Sequence, residues 1–236
     1  MGRQWLQKNR EITGARRGKV FTKLIREITV AAGKGVPDPA MNARLAVAVE
    51  AARKQSLPND SIQRAINKGG GLAGPKVDLE LVTFEGFAPH KVPVIVECMT
   101  DNRNRTAPDV RSLFRNGQFG AKVGFLFDHV GIVEATHEGA GLDIEGAAIE
   151  AGAQNVEPLE KTPEEQTGAR FFTERTDLDT VTAALRGAGW SVTTSELGYI
   201  PKDAVEVGPA ERKDVEDFLE AIDDHDDVHR IWTALK

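Results

Sequence analysis

Near residue 78 the spacing of apolar side chains changes period, and that change divides the chain into parts that must fold differently. Before it, Val20, Phe21, Leu24, Ile25, Ile28 and Ala32 recur at helical spacing, which predicts an amphipathic helix over residues 16–33. Gly33, Gly35, Pro37 and Pro39 end that helix. Leu45, Ala48, Val49 and Ala52 mark a second helix over 41–55. Ile62, Ala65 and Ile66 mark a third, with Asn59 or Asp60 as its cap. Gly69, Gly70 and Gly71 close it and read as the start of a flexible link to about residue 77. They follow a helix and lack the GxGxxG pattern of a phosphate-cradling loop.

After residue 78 the pattern is β-rich: strands LELVTFEGF and VPVIVECMT, a helix RTAPDVRSLFRNG, then a strand AKVGFLF. That unit is incomplete. Residues 130–200 follow in the order βαββαβ, the ferredoxin-like split motif, with an acidic loop EKTPEEQTG between the middle strands. Past Pro201 come a helix over 209–223 and a strand VHRIWTAL, and two such elements cannot bury their apolar sides alone. The expected fold is therefore α+β with three domains. Residues 1–76 form a helical bundle, 77–129 plus 201–236 a discontinuous antiparallel-sheet domain, and 130–200 an inserted ferredoxin-like domain.

Charge follows the same division. Residues 1–76 hold fifteen basic and five acidic side chains, a net +10, in a chain whose overall charge is -6, so the remainder carries -16. Such a split is the footprint of a polyanion-binding part joined to a part that repels polyanions. Arg16, Lys19, Lys23 and Arg26 share one face of the first helix, and Arg17 and Lys34 lie on or beside it. These six are the candidate nucleic-acid contacts, with few acids nearby to pair with them. The helix offers few Asn or Gln side chains, so phosphate gripping rather than base reading is expected. The acidic domains are candidates for protein partners.

Other chemistry is poorly represented. The single Cys98 lies in an apolar strand, which excludes an internal disulfide and suits a buried thiol in a reducing cytoplasm. No apolar run approaches the roughly 18 residues of a membrane span. His225 and His229 stand among Asp223, Asp224, Asp226 and Asp227, but a helix end running into a strand would not hold both imidazoles together for a metal. Phe171 and Phe172 lie on the third strand of the βαββαβ unit without an RNA-binding signature around them, and alternation requires only one of them to face the core. No nucleophile and base stand in a catalytic motif, so neither an enzyme nor a cofactor is expected.

The stretch DNRNRT, residues 101–106, follows an apolar strand and precedes a helix. Thr106 can cap that helix, with Asp109 its third residue, leaving Arg103 and Arg105 to project from a loop at a helix amino terminus. Asp101, Asn102 and Asn104 can equally just shape the turn.

These segments carry a family likeness. RRGKVFTKLIREITVAA, DPAMNARLAVAVEAARKQSLPNDSIQRAINKG, FEGFAP and ECMTDNRNRT resemble the YebC/PmpR family, which includes the mitochondrial translational activator of cytochrome c oxidase. The resemblance runs nearly end to end. It implies a three-domain, non-enzymatic α+β protein of gene expression, with a functional role for the loop of Asn102, Arg103, Asn104 and Arg105. Members are described as DNA-binding transcriptional regulators, while others act in translation at the ribosome, so DNA and ribosomal RNA are both implied as ligands. The start, Gly2-Arg3-Gln4-Trp5, departs from the Gly-His-Ser-Lys-Trp of many members and is closer to the YeeN-like branch.

Overall fold

Helix α1 (Gly14–Lys34) opens the described chain in the computed structural model, which covers residues 14–74, 79–159, 162 and 165–236. The Gly2–Trp5 motif lies outside the described residues, as do the side chains of Arg16 and Arg17. Helix α2 (Ala43–Lys54) starts where Asn42 accepts from the Leu45 amide, and the Asn42 amide group donates to the carbonyls of Ala31 and Val36. One side chain thus caps α2 and ties it to the end of α1. Helix α3 (Asn59–Gly69) has Pro58 at its cap position, and no side chain caps it. Neither Asn59 nor Asp60 acts as the expected cap, because Pro58, with its fixed φ, places the chain in the helix one residue earlier.

The glycines that close α3 are not a flexible link at their start. A Cβ on Gly69 would stand 2.1 Å from the Thr29 carbonyl oxygen, and one on Gly70 would stand 2.6 Å from Pro37. Both are glycine because α3 and its exit lie directly against α1 and the segment after it. Ile28, Ala31 and Ala32 of α1 are buried, as are Leu45, Ala48, Val49 and Ala52 of α2 and Ile62, Ala65 and Ile66 of α3.

The first sheet is antiparallel, in the order β3-β1-β2-β8, from β1 (Glu80–Phe87), β2 (Pro93–Thr100), β3 (Gln118–Phe119) and β8 (Val228–Thr233). Helices α4 (Arg103–Leu113) and α7 (Pro209–Asp223) cover it, with Val94, Val96 and Cys98 packed against Val110, Val215, Leu219 and Ile222. Burial pushes the Cys98 thiol up to about 12, aided by the negative charge of Asp227, so it stays protonated and inert. The expected strand AKVGFLF does not form. The Glu85 carboxylate accepts from the amides of Val123 and Gly124, each at 2.7 Å, and holds the chain in a turn before β4 (Phe127–Glu138).

The second sheet has the order β5-β6-β4-β7, adding β5 (Asn155–Pro158), β6 (Gln166–Thr173) and β7 (Ser191–Pro201) to β4. With α5 (Ile144–Ala151) after β4 and α6 (Leu178–Gly187) after β6, it is a split βαββαβ arrangement. Phe171 is fully buried beside Trp190, their ring centroids 5.2 Å apart. Alternation sends Phe172 to the other face of the sheet, yet it too is buried, so more than the one expected Phe is withdrawn from solvent.

The molecule is thus a mixed α+β protein with seven helices and two antiparallel sheets among the described residues. They fall into two compact units. One is drawn from Met1–Arg26, Val77–Asp128 and Tyr199–Lys236; the other from Glu27–Lys76 and His129–Gly198. In the second unit Val47 of α2 joins the same core as Val133, Phe171 and Leu185.

A pair of substitutions tests the packing role of Gly69. Gly69→Ala should destabilise by about 2 kcal/mol despite alanine's better helix propensity, because its methyl overlaps a backbone oxygen. Gly18→Ala, in α1 with nothing within 4 Å of the added carbon, should stabilise by up to about 1 kcal/mol. Urea denaturation measures both, and equal effects would contradict this packing.

Candidate nucleic-acid interface

The acids of residues 223–227 lie where α7 ends and β8 begins, an unfavourable place for negative charge because the last carbonyls of a helix are themselves electronegative. The cationic face of α1 offsets it. Lys23 donates to the Asp223 carbonyl at 2.9 Å and pairs with its carboxylate at 2.7 Å, both side chains being mostly buried. Lys19 donates to the Asp224 carbonyl at 3.1 Å and lies 3.3 Å from its carboxylate. Arg26 donates to the Asp226 carbonyl and pairs with Asp227 at 3.0 Å. The expectation that this face lacks acids to pair with is therefore corrected: its partners come from some two hundred residues further on.

Asp227 is the hub of the cluster. Its side chain is 5% exposed, and its Oδ2 accepts from the Thr106 hydroxyl at 2.7 Å and from Arg105 at 3.3 Å. Its backbone carbonyl accepts from the Met99 amide, and its amide donates to His225 Nδ1. Burial alone would raise this carboxyl's pKa; the Thr106 hydroxyl and the guanidinium groups of Arg26 and Arg105 outweigh it and hold the group below the usual carboxylate range.

The DNRNRT stretch is organised by the same acceptor. Asn102, not Thr106, caps α4: its side chain accepts from the Arg105 amide, and the helix begins at Arg103. Thr106 is fully buried, its hydroxyl bonded to Thr100 and Asp227. Arg105 is drawn back onto Asp101 and Asp227 instead of projecting freely. Arg103 and Asn104 are exposed, and among the described residues neither has an ion pair or side-chain hydrogen bond.

Beside these groups lies an open hollow of about 510 Å³ where Lys19, Arg26 and Arg105 meet Asp109, Asp224, Asp226 and Asp227. Four carboxylates against three cations make it a poor seat for a polyanion. His225 accepts from the Asp227 amide within the turn and lies 3.8 Å from Asp109 of α4. Of the six nominated cations, Lys34 alone among the described side chains is exposed without an ion-pair partner. Lys19, Lys23 and Arg26 are engaged.

Exposed cations occur elsewhere on the helical segment. Arg44 and Arg53 of α2 and Lys68 of α3 are exposed and without an ion-pair partner among the described residues. Sequence reading passed over them because they do not form a stripe on one helix. Their signal was the unbalanced charge of the whole segment.

The class is a mixed α+β protein with two antiparallel sheets, a basic helical amino-terminal segment and an acidic remainder, and among the described residues no helix is long and apolar enough to cross a membrane. The chain belongs to the TACO1/YebC family. Residues 3–72 match the TACO1/YebC protein N-terminal domain, and residues 79–235 match the TACO1/YebC second and third domain. A relative from Polaromonas is 49% identical over 240 residues, spanning 100% of this chain and 99% of its own length, and one from Bdellovibrio bacteriovorus is 48% identical over 100% of both. Both carry the name probable transcriptional regulatory protein. A crystal structure of a conserved hypothetical protein from Aquifex aeolicus superposes with a TM-score of 0.80 at 35% identity, covering 97% of this chain and 94% of that one.

The depressed Asp227 pKa fixes a pH dependence. A carboxyl that binds its proton less readily when folded contributes stability above its unfolded pKa of about 3.9, and that stability is lost as pH falls through the folded value. Asp227→Asn should cost about 2 kcal/mol at pH 7. The gap between variant and wild type should close as the pH is lowered below about 4, as read by urea denaturation. A gap that stays constant with pH would contradict an ionised Asp227.

Proposed function

We infer that this protein is a non-enzymatic regulator of gene expression that holds duplex DNA through its basic amino-terminal segment. The observation that carries this reading is the division of charge, +10 over residues 1–76 against -16 over the rest. Lys and Arg that displace counterions from phosphates give affinity with little sequence dependence, while the acidic remainder repels the same polyanion and so limits how the duplex lies. The relatives' name, probable transcriptional regulatory protein, supports the same reading. The acidic part is also the surface offered to protein partners.

Within the segment, the phosphate contacts fall to Lys34, Arg44, Arg53 and Lys68, which are exposed and unpaired among the described residues. Arg16 and Arg17 extend the set along α1. Lys19, Lys23 and Arg26 contribute less, because a phosphate would first have to displace a carboxylate of Asp224, Asp223 or Asp227. Arg103 and Asn104, exposed at the start of α4, are the side chains of the DNRNRT stretch left for an external ligand.

Fluorescence anisotropy of the full-length chain on a 20-base-pair duplex, across a salt series, tests this. Changing Lys34, Arg44, Arg53 and Lys68 to Gln should flatten the plot of log affinity against log salt by about 0.9 for each residue that touches a phosphate. Changing Lys19 and Lys23 to Gln should alter the slope by less than about one such unit. The reverse ranking would return the contact to the face of α1, and no binding by wild type would remove duplex DNA as the ligand.

A further inference from the structure

We propose that α2, the turn over residues 55–58 and α3 form a helix-turn-helix that reads base edges, with α3 presented to the major groove of duplex DNA; this rests on the reading of the protein as a DNA binder. In such a motif two helices are joined by a tight turn of three or four residues, the second lies in the groove and the first crosses the backbone. Here the turn is four residues long, from the end of α2 at Lys54 to the start of α3 at Asn59. Ser56 takes a left-handed conformation, φ 60°, which reverses the chain sharply, and Leu57 behind it is buried.

The two sides of α3 differ in chemistry. Ile62, Ala65, Ile66 and Gly69 are buried, and Gly69 holds the helix against the Thr29 carbonyl, so the inward side has no freedom to rotate. The outward side carries Gln63, Arg64 and Lys68 exposed, with Asn67 half-buried beside them. Base recognition in the major groove uses these residue types, with Arg or Lys on guanine and Asn or Gln on adenine. The Gln63 amide donates to Asn67 Oδ1 at 3.0 Å, and Arg64 donates to the Asp60 carbonyl and the Ser61 hydroxyl. These bonds order the side chains before a ligand arrives, which lowers the entropy lost on binding.

Charge complementarity names the occupant. From Ala43 to Gly69 there are five basic residues and two acidic ones, and Arg44 and Arg53 of α2 are exposed where a first helix meets phosphates. Asp60 lies in the first turn of α3, and a carboxylate there accepts from a cytosine amino group. A nonspecific grip would need only lysines and arginines. The paired amides of Gln63 and Asn67 are what a reader needs in addition.

The test is selection of a random 20-base-pair DNA pool on the full-length chain. Wild type should enrich a sequence and bind it more tightly than a scrambled duplex. Gln63→Ala combined with Asn67→Ala should cut that preference by roughly five- to a hundred-fold while leaving affinity for the scrambled duplex within about twofold. Arg64→Ala should relax the preference at one position. Circular dichroism establishes that the variants remain folded, and an additional Gln63→Glu variant should shift the selected base if the side chain touches it. Binding without enrichment would overturn the reader but leave the DNA-binding function standing, whereas no binding to any DNA duplex would overturn both. Equal affinity for an RNA duplex of the selected sequence, whose deep and narrow major groove excludes a helix, would also overturn it.

Discussion

The carboxylate of Asp227 is the acceptor on which three distant parts of the chain converge. It receives Arg26 from the first helix, Arg105 and Thr106 from the start of α4, and it sits in the turn that leads into β8, the edge strand paired with β2 in the first sheet. A buried, ionised carboxylate is stable only where donors replace the water it gave up, and here a hydroxyl and two guanidinium groups do so. Removing the acceptor would leave two cations facing a hollow already crowded with other charges.

That arrangement changes how the positive charge of the amino-terminal segment should be understood. Part of it is consumed internally, on the carbonyls and carboxylates that terminate α7. The segment's exposed cations without an ion-pair partner among the described residues lie further along, at the end of α1 (Lys34) and on α2 and α3. The DNRNRT stretch divides similarly. Asn102, Arg105 and Thr106 hold the strand-to-helix junction together, and Arg103 and Asn104 remain outward.

Most elements were legible in the sequence because apolar period is a local property. The helix over 209–223 coincides with α7, and the βαββαβ order appears as strands and helices in the expected sequence. Departures arose where one side chain from afar decided the outcome. Glu85 turned an apolar run into a capped turn, and Asp227 drew Thr106 inward from the cap position it would suit. Summed charge could not reveal that Lys19 meets Asp224, since pairing across 205 residues leaves no trace in composition. For α3 the spacing of Ile62, Ala65 and Ile66 did mark the buried side, but it carried no sign that Gln63 and Asn67 pair on the opposite one.

Carboxyl-detected NMR titration of Asp227 addresses the central claim most directly. A shared, ionised acceptor predicts a pKa below the usual value of about 3.9, moving upward when Arg26 and Arg105 are both replaced by Gln. A titration at or above the ordinary value in wild type, unmoved by those replacements, would contradict it.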